Sequence, residues 1–272
     1  MDQYCVFGNP IKQSRSPFIH QSFAQQTRQS LSYVSELAPL DGFKSSVNEL
    51  IKKGGKGANV TAPFKEQAME MCDQLSEGAK LAGAVNTLTF KDGKIYGDNT
   101  DGVGLVQDLL RHDISLSGAK ILLLGAGGAA KGVILPLLEQ GISHLTIANR
   151  TVSKAKDLVD EFKDIRLDAC GFDEVNTIKP DVIINATSAS LSGSIPPISS
   201  EIIEASTVCY DMVYGKSLSP FLVWARDSGA AQVIDGLGML VGQAAESFYI
   251  WRGVRPEVEQ VLTELRKALA ED

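Results

Sequence analysis

A chain that runs Ile121-Leu122-Leu123-Leu124 straight into Gly125-Ala126-Gly127-Gly128-Ala129-Ala130 has few ways to fold. Four successive aliphatic residues suit a strand covered on both faces, and Val133, Ile134, Leu137 and Leu138 then recur at helical spacing. Gly141 ends that helix, and residues 144–148 supply a second strand. A lone GxGxxA is weak evidence, but strand, glycine turn, helix and strand in this order make a dinucleotide-binding unit. Gly125 permits the tight turn and Gly127 lets the backbone approach a pyrophosphate. The helix amino end at Gly128 and Ala129 offers unpaired N–H groups and a partial positive charge. The bland alternative is a tight strand-to-helix turn with no ligand.

The end of the second strand chooses the dinucleotide. Sites for NAD usually place Asp or Glu there to accept from the ribose 2'-hydroxyl, whereas this chain has Asn149-Arg150-Thr151. A carboxylate would repel a 2'-phosphate; Arg150 can grip one with a charge-assisted fork, and Asn149 and Thr151 add donors. NADP is therefore the expected cofactor. If Arg150 is only a solvated helix-start residue, NADPH should bind no better than NADH.

Between residues 120 and 234, short β-branched runs (121–124, 144–148, 181–185, 207–212, 231–234) alternate with helical segments, which implies a doubly wound parallel sheet. The first hundred residues mix strands (4–7, 32–37, 58–61, 85–90) with helices, and Asp92-Gly93 before Ile95-Tyr96 reads as a hairpin turn. From Gly238 the chain turns helical. Leu237, Val241, Ala244, Phe248 and Trp251 form one stripe, and Val258, Val261, Leu262, Leu265 and Leu269 form another. The expected fold class is α/β in two domains. Residues 102–236 make one, and 1–101 plus 237–272 make a discontinuous α/β domain, with crossings near 101–104 and 235–238. A ligand is expected in the cleft between them.

Composition narrows the functions open to such a fold. Of 272 residues, 26 are Lys or Arg and 33 are Asp or Glu, and the net charge of −7 argues against non-specific binding to nucleic acid or anionic membrane. No stretch approaches the roughly 18 unbroken apolar residues of a membrane span. Met1-Asp2-Gln3-Tyr4 lacks the basic start and apolar run of a signal peptide, so a cytoplasmic enzyme is expected. Cys5, Cys72, Cys170 and Cys209 are far apart and read as reduced packing residues. His20, His112 and His144 are isolated, and with no cluster at ligand spacing a zinc-dependent mechanism is not expected.

A nicotinamide-linked ketone reduction needs a proton source placed against the developing alkoxide. None of the six tyrosines has Lys four positions on, which removes the Tyr-x-x-x-Lys arrangement of short-chain dehydrogenases. What remains is Asn59-Val60-Thr61-Ala62-Pro63-Phe64-Lys65. Pro63 suits the first helical position and would put Lys65 in the first turn, against the helix dipole at a cost of roughly 0.3–1 kcal/mol. Many such lysines simply point into water. Asp101 closes Gly97-Asp98-Asn99-Thr100-Asp101 ahead of an apolar helix and by itself reads as an N-cap, and Ser14-Arg15-Ser16-Pro17 is likewise a plausible cap.

In order and spacing these segments resemble the shikimate dehydrogenase family over nearly the whole chain. The matching stretches are Ser14-Arg15-Ser16-Pro17 with His20, residues 59–65, Ala84-Val85-Asn86-Thr87, residues 97–101 and 125–130, and Asn149-Arg150-Thr151. Asn185-Ala186-Thr187-Ser188, Asp211-Met212-Val213-Tyr214 and residues 235–240 with Gln243 complete the set. The resemblance implies a substrate domain and a Rossmann-type NADP domain, with Lys65 and Asp101 as the catalytic pair. It implies Ser14 and Ser16 on a substrate carboxylate, Asn59, Thr61, Asn86 and Gln243 on ring hydroxyls, and Tyr214 nearby. Thr187, Ser188, Met212 and Gly236 would join the cofactor residues. The implied reaction is the reversible NADPH-dependent reduction of 3-dehydroshikimate to shikimate in aromatic amino acid biosynthesis, by a monomer or homodimer.

The residue types suit that chemistry: hydroxyl donors for a carboxylate in a partly wetted cleft, and neutral amides and hydroxyls for a triol ring. Gln243 lies off the apolar stripe and could instead face solvent, and residues 185–188 could be an ordinary polar loop. Gln21, Ala189-Ser190, Lys216 and Ser219 depart from the family's usual residues, which bears on loop geometry and nicotinamide-side contacts. Two alternatives stand beside this one. A quinate/shikimate dehydrogenase of broader range is opposed by Arg150, and a catalytically silent ligand sensor would be expected to lack the Lys65/Asp101 pair.

Overall fold

Residues 121–124 divide their side chains between two cores. In the computed structural model, which describes residues 1–271, Ile121 and Leu123 lie in one buried cluster with Leu145, Ile147, Val182, Ile184 and Tyr210. Leu122 and Leu124 lie in another with Ala148, Ile183, Cys209 and Phe221. Successive strand residues point to opposite faces, so a strand apolar at every position is stable only where both faces are covered.

The chain forms two units, one of residues 1–104 and 240–264, the other of residues 105–239 and the chain from Leu265 on. The first unit contains β1 (Asp2–Gly8), α1 (Ser16–Gln26), β2 (Leu31–Leu37), α2 (Phe43–Lys52), β3 (Gly57–Val60), α3 (Lys65–Glu70), β4 (Gln74–Leu75), α4 (Glu77–Ala82), β5 (Thr87–Lys91) and β6 (Lys94–Asp98). Its sheet has the order β2-β1-β3-β5-β6-β4. β1 runs parallel to β2 and β3, while β5 is antiparallel to β3 and β6. The hairpin joining β5 to β6 turns on Asp92 and Gly93, both at positive φ (52° and 72°), the conformation Asp-Gly adopts with least strain. Phe7, Phe43, Val60, Phe64, Val85 and Leu88 are buried together against this sheet.

Helix α5 (Asp101–Arg111) leads into the second unit, which holds β7 (Lys120–Leu124), α6 (Gly128–Glu139), β8 (His144–Ala148), α7 (Val152–Phe162), β9 (Leu167–Cys170), β10 (Val182–Asn185), β11 (Val208–Asp211), α8 (Pro220–Asp227) and β12 (Gln232–Asp235). All its strands are parallel, in the order β12-β11-β10-β7-β8-β9. The chain enters at β7 in the middle, winds out to β9, and restarts beside β7 at β10. The carboxyl ends of β7 and β10 are thus the switch point at which open α/β sheets bind ligands.

Helices α9 (Leu237–Arg252) and α10 (Val258–Glu271) follow. The Arg266 guanidinium of α10 donates to both oxygens of Asp235 at 2.6 and 2.7 Å, a bidentate pair at the end of β12. The four cysteines are free. Burial pushes the thiols of Cys72 and Cys170 up to about 11 and that of Cys209 up to about 12, so they are packing groups, not nucleophiles. Among the described residues no helix is long and apolar enough to cross a membrane.

Candidate functional site

Lys65 owes its place to the aromatic residue before it. Phe64 is fully buried and stacks on Phe43 with ring centroids 4.8 Å apart, and its N–H closes a turn onto the Thr61 carbonyl at 3.1 Å. That anchor makes Phe64 the N-cap and Lys65 the first residue of α3. Pro63, expected at the first helical position, instead lies in the preceding turn on a cis bond to Ala62. The Lys65 carbonyl accepts from Val85 N–H at 2.9 Å, which ties the helix start to the segment ahead of β5.

Asp101 opens α5 but does not cap it. Asn99 Oδ1 accepts the Asp101 N–H at 3.1 Å, and Asn99 Nδ2 holds the Ala84 carbonyl, so an amide on the preceding loop serves the helix end. The Asp101 carboxylate is left for other partners. Its Oδ2 accepts from Lys65 Nζ at 2.5 Å and its Oδ1 from Asn86 Nδ2 at 2.9 Å. The pair is partly open, with side-chain exposures of 31% for Lys65 and 20% for Asp101. The cation that opposes its own helix dipole thus faces a carboxylate, and both remain partly exposed.

The other residues expected around a substrate fall into four groups. Asn86 is buried and stands next to the pair, and Gln243 Oε1 faces its Nδ2 at 3.4 Å, so Gln243 does not merely face solvent. Helix α9 comes this close because position 242 is glycine: a Cβ there would stand 3.0 Å from the Gly104 carbonyl oxygen. Asn59 is buried and engaged at both ends, its Oδ1 accepting from Tyr33 Oη at 2.7 Å and its Nδ2 facing the Asn86 carbonyl at 3.1 Å, Ser247 Oγ at 3.0 Å and Thr87 Oγ1 at 3.2 Å. Ser14, Ser16 and Thr61 lie on the segments that follow β1 and β3 in this same unit. Ser14 Oγ accepts the Ser16 N–H at 3.3 Å; Arg15 is the N-cap of α1, without a side-chain cap bond. Tyr214 belongs to the second unit, on the loop after β11.

In the second unit a groove of about 720 Å³ is lined by Gly125, Ala126, Gly127, Gly128 and Ala129 together with Asn149, Arg150, Thr187 and Ser188. Gly125 has φ +107°, and an added Cβ would stand 3.2 Å from Thr187 Cγ2 and 3.3 Å from the Ala186 carbonyl, so this turn requires glycine. A Cβ at Gly127 or Gly128 would meet nothing within 4 Å, so both face open space. No side chain caps α6, whose first N–H groups have no intrahelical partner. Bare backbone, unpaired N–H donors and room in front of them fit a pyrophosphate. Arg150 is exposed at the groove rim and makes no ion pair among the described residues. Thr151, Met212 and Gly236 are not walls of this groove. Thr151 is the N-cap of α7, its carbonyl taken by Asn149 Nδ2, and Met212 and Gly236 abut each other at the ends of β11 and β12.

Family models for the shikimate dehydrogenase substrate binding domain, shikimate/quinate 5-dehydrogenase and the shikimate 5'-dehydrogenase C-terminal domain match residues 6–88, 106–194 and 236–266. A protein of Colwellia psychrerythraea named shikimate dehydrogenase (NADP(+)) is 59% identical over 98% of both chains. The chain belongs to the shikimate dehydrogenase family. Among solved structures, an Ael1 enzyme from Pseudomonas putida is 44% identical with a TM-score of 0.95, covering 97% of this chain and 98% of its own. The shikimate 5-dehydrogenase of Thermus thermophilus, solved with NADP(H) and shikimate, is 31% identical with a TM-score of 0.88, covering 99% and 100%.

Four walls of the groove carry no local sequence signal. Phe172, Ile195, Pro196 and Pro197 wall the groove but lie far along the chain from the glycine turn. Asp211 is fully buried and accepts from Ser190 Oγ at 2.6 Å, Ser219 Oγ at 2.5 Å and Val213 N–H at 3.1 Å. Ser190 and Ser219, which depart from the family's usual residues, thus converge on one carboxylate. Ser247 stands one helical turn after Gln243 and so on the same face of α9.

Proposed function

We propose that this protein catalyses the reversible NADPH-dependent reduction of 3-dehydroshikimate to shikimate, a step of aromatic amino acid biosynthesis. One observation carries the reading: a lysine ammonium and a carboxylate 2.5 Å apart, held by a buried amide, in a chain that also carries a glycine-turn groove with an unpaired arginine at its rim. Lys65 donates to the C3 oxygen of the ring and stabilises the alkoxide that develops there, and Asp101 holds the amine in line and shares in the proton relay. Ser14 and Ser16 receive the substrate carboxylate. Asn59, Thr61, Asn86 and Gln243 orient the ring hydroxyls, with Tyr214 nearby, and Asn59 also braces Asn86 through its carbonyl.

Gly125, Ala126, Gly127, Gly128 and Ala129 would hold the cofactor's pyrophosphate, Asn149, Arg150 and Thr151 its 2'-phosphate, and Thr187, Ser188, Met212 and Gly236 the side toward the nicotinamide. NADPH, when bound, supplies the hydride. In this reading residues 1–101 plus 237–272 form the substrate domain and 102–236 the NADP domain, in a cytoplasmic enzyme that acts as a monomer or homodimer. Initial rates with shikimate or quinate against NADP+ or NAD+ test it. Shikimate with NADP+ is expected to be fastest; no reduction of NADP+ by shikimate would refute the reading, and quinate oxidation with NAD+ would favour the broader enzyme.

A further inference from the structure

Two hydroxyl residues with no exposed surface, Thr87 at the start of β5 and Ser247 on α9, take no part in the proposed chemistry. Buried hydroxyls cost free energy unless they are hydrogen-bonded, so the protons of these two can be followed. Thr87 Oγ1 lies 2.8 Å from Asn86 Oδ1, 3.2 Å from Asn59 Nδ2 and 2.8 Å from Ser247 Oγ. A carbonyl oxygen only accepts and an amide nitrogen only donates. Thr87 must therefore give its single proton to Asn86, and Asn59 Nδ2 and Ser247 Oγ are the donors that face its lone pairs. Ser247 can donate to Thr87, to the Gln243 carbonyl at 3.0 Å or to Thr100 Oγ1 at 3.2 Å.

The backbone supplies the check on this direction. Thr100 N–H donates to the same Asn86 Oδ1 at 3.0 Å, and a backbone N–H cannot reverse its role. With two donors aimed at Oδ1, a flipped Asn86 would set its NH2 against both of them. Asn86 Nδ2 is thereby pointed at Asp101 Oδ1, 2.9 Å away, and Asp101 Oδ2 is left to Lys65.

We propose that Thr87, backed by Ser247, is a positioning residue for the Lys65–Asp101 pair: its hydroxyl, together with the Thr100 N–H, holds the Asn86 amide in the orientation that aims Nδ2 at the Asp101 carboxylate. The proposal rests on the reaction assigned above and deepens it. Neither hydroxyl meets the substrate, so the effect travels through Asn86. Thr87→Val keeps the shape and removes the proton, whereas Thr87→Ser keeps the proton and removes a methyl.

Wild type, T87V, T87S and S247A are assayed for shikimate oxidation by NADP+, with C3-deuterated shikimate run in parallel and NADP+ affinity titrated separately. Because a displacement of about 1 Å at reacting groups can cost on the order of 100-fold, T87V is expected to lower kcat by roughly 10- to 100-fold, with T87S within about 3-fold of wild type. NADP+ affinity should stay within about 2-fold, and the isotope effect on kcat should grow in T87V as hydride transfer becomes slower than product release. Equal losses in T87V and T87S would mean that the methyl matters and the hydroxyl does not, and would overturn the proposal, as would a T87V enzyme with wild-type kcat. If T87V does not accumulate as folded protein, S247A decides: a reduced kcat at unchanged NADP+ affinity supports the proposal and an unchanged kcat refutes it. A wild type unable to oxidise shikimate would remove the assigned reaction itself, a result separate from any difference among the variants.

Discussion

His20 should make the protein's stability depend on pH in a way one substitution can isolate. The residue lies on α1, 1% exposed, its ring stacked on Tyr33 with centroids 4.2 Å apart and with Phe23, Phe248 and Trp251 around it. Burial lowers its pKa to about 3, with the Asn59 side chain acting weakly the other way. A group whose pKa falls on folding binds its proton more readily in the unfolded chain. Its stability contribution is therefore fully present above the unfolded pKa of 6.5 and is lost as pH falls toward 3. Each pH unit inside that window costs about 1.4 kcal/mol, so lowering the pH from 7.5 to 4.5 should remove roughly 3 kcal/mol, a large part of a typical total of about 5–15 kcal/mol. Urea unfolding of wild type and His20→Leu at both pH values measures it. Asp2 and Asp164, held low by Arg252 and Arg166, act alike in both proteins and cancel in the difference. From its own value at pH 7.5 the variant should lose roughly 3 kcal/mol less on acidification. Parallel losses in the two proteins would refute the argument.

Three further outcomes are expected. Lys65→Ala should lower kcat by about 100- to 10,000-fold with a much smaller change in the KM for shikimate, the range for a lost proton-transfer group; steady-state kinetics show it, and unchanged turnover removes Lys65 from the mechanism. Arg150→Ala should raise the KM for NADPH by about 10- to 100-fold and leave that for NADH nearly unchanged, since a charge-assisted contact to a phosphate contributes on the order of 1.5–3 kcal/mol; an equal rise for both cofactors would mean that Arg150 does not contact the 2'-phosphate. Gly125→Ala must place a Cβ at φ +107° against Thr187 and Ala186, so a loss of about 1–3 kcal/mol in unfolding free energy is expected together with weaker NADPH binding, read by thermal melts with and without cofactor.

The local pattern was decisive wherever one segment carries its own physics. Residues 121–148 declare a buried strand, a glycine turn and a helix in sequence, and every such step is settled by neighbours within a few positions. The Asp92-Gly93 turn and the Asn149-Arg150-Thr151 run are legible for the same reason. What the pattern misplaced depends on a distant partner: Pro63 gives up the helix start because Phe64 anchors on Phe43. The pairing of Lys65 with Asp101 had no local signal at all, since each alone fits a solvated or capping role. Only tertiary structure decides it. Asn99 takes over the helix end, Asn86 is fixed by Thr87 and Thr100, and the freed carboxylate turns to the ammonium. Hydrogen-bond partners thirty or more residues apart are chosen by which strands and helices become neighbours, and no window along the chain contains that choice.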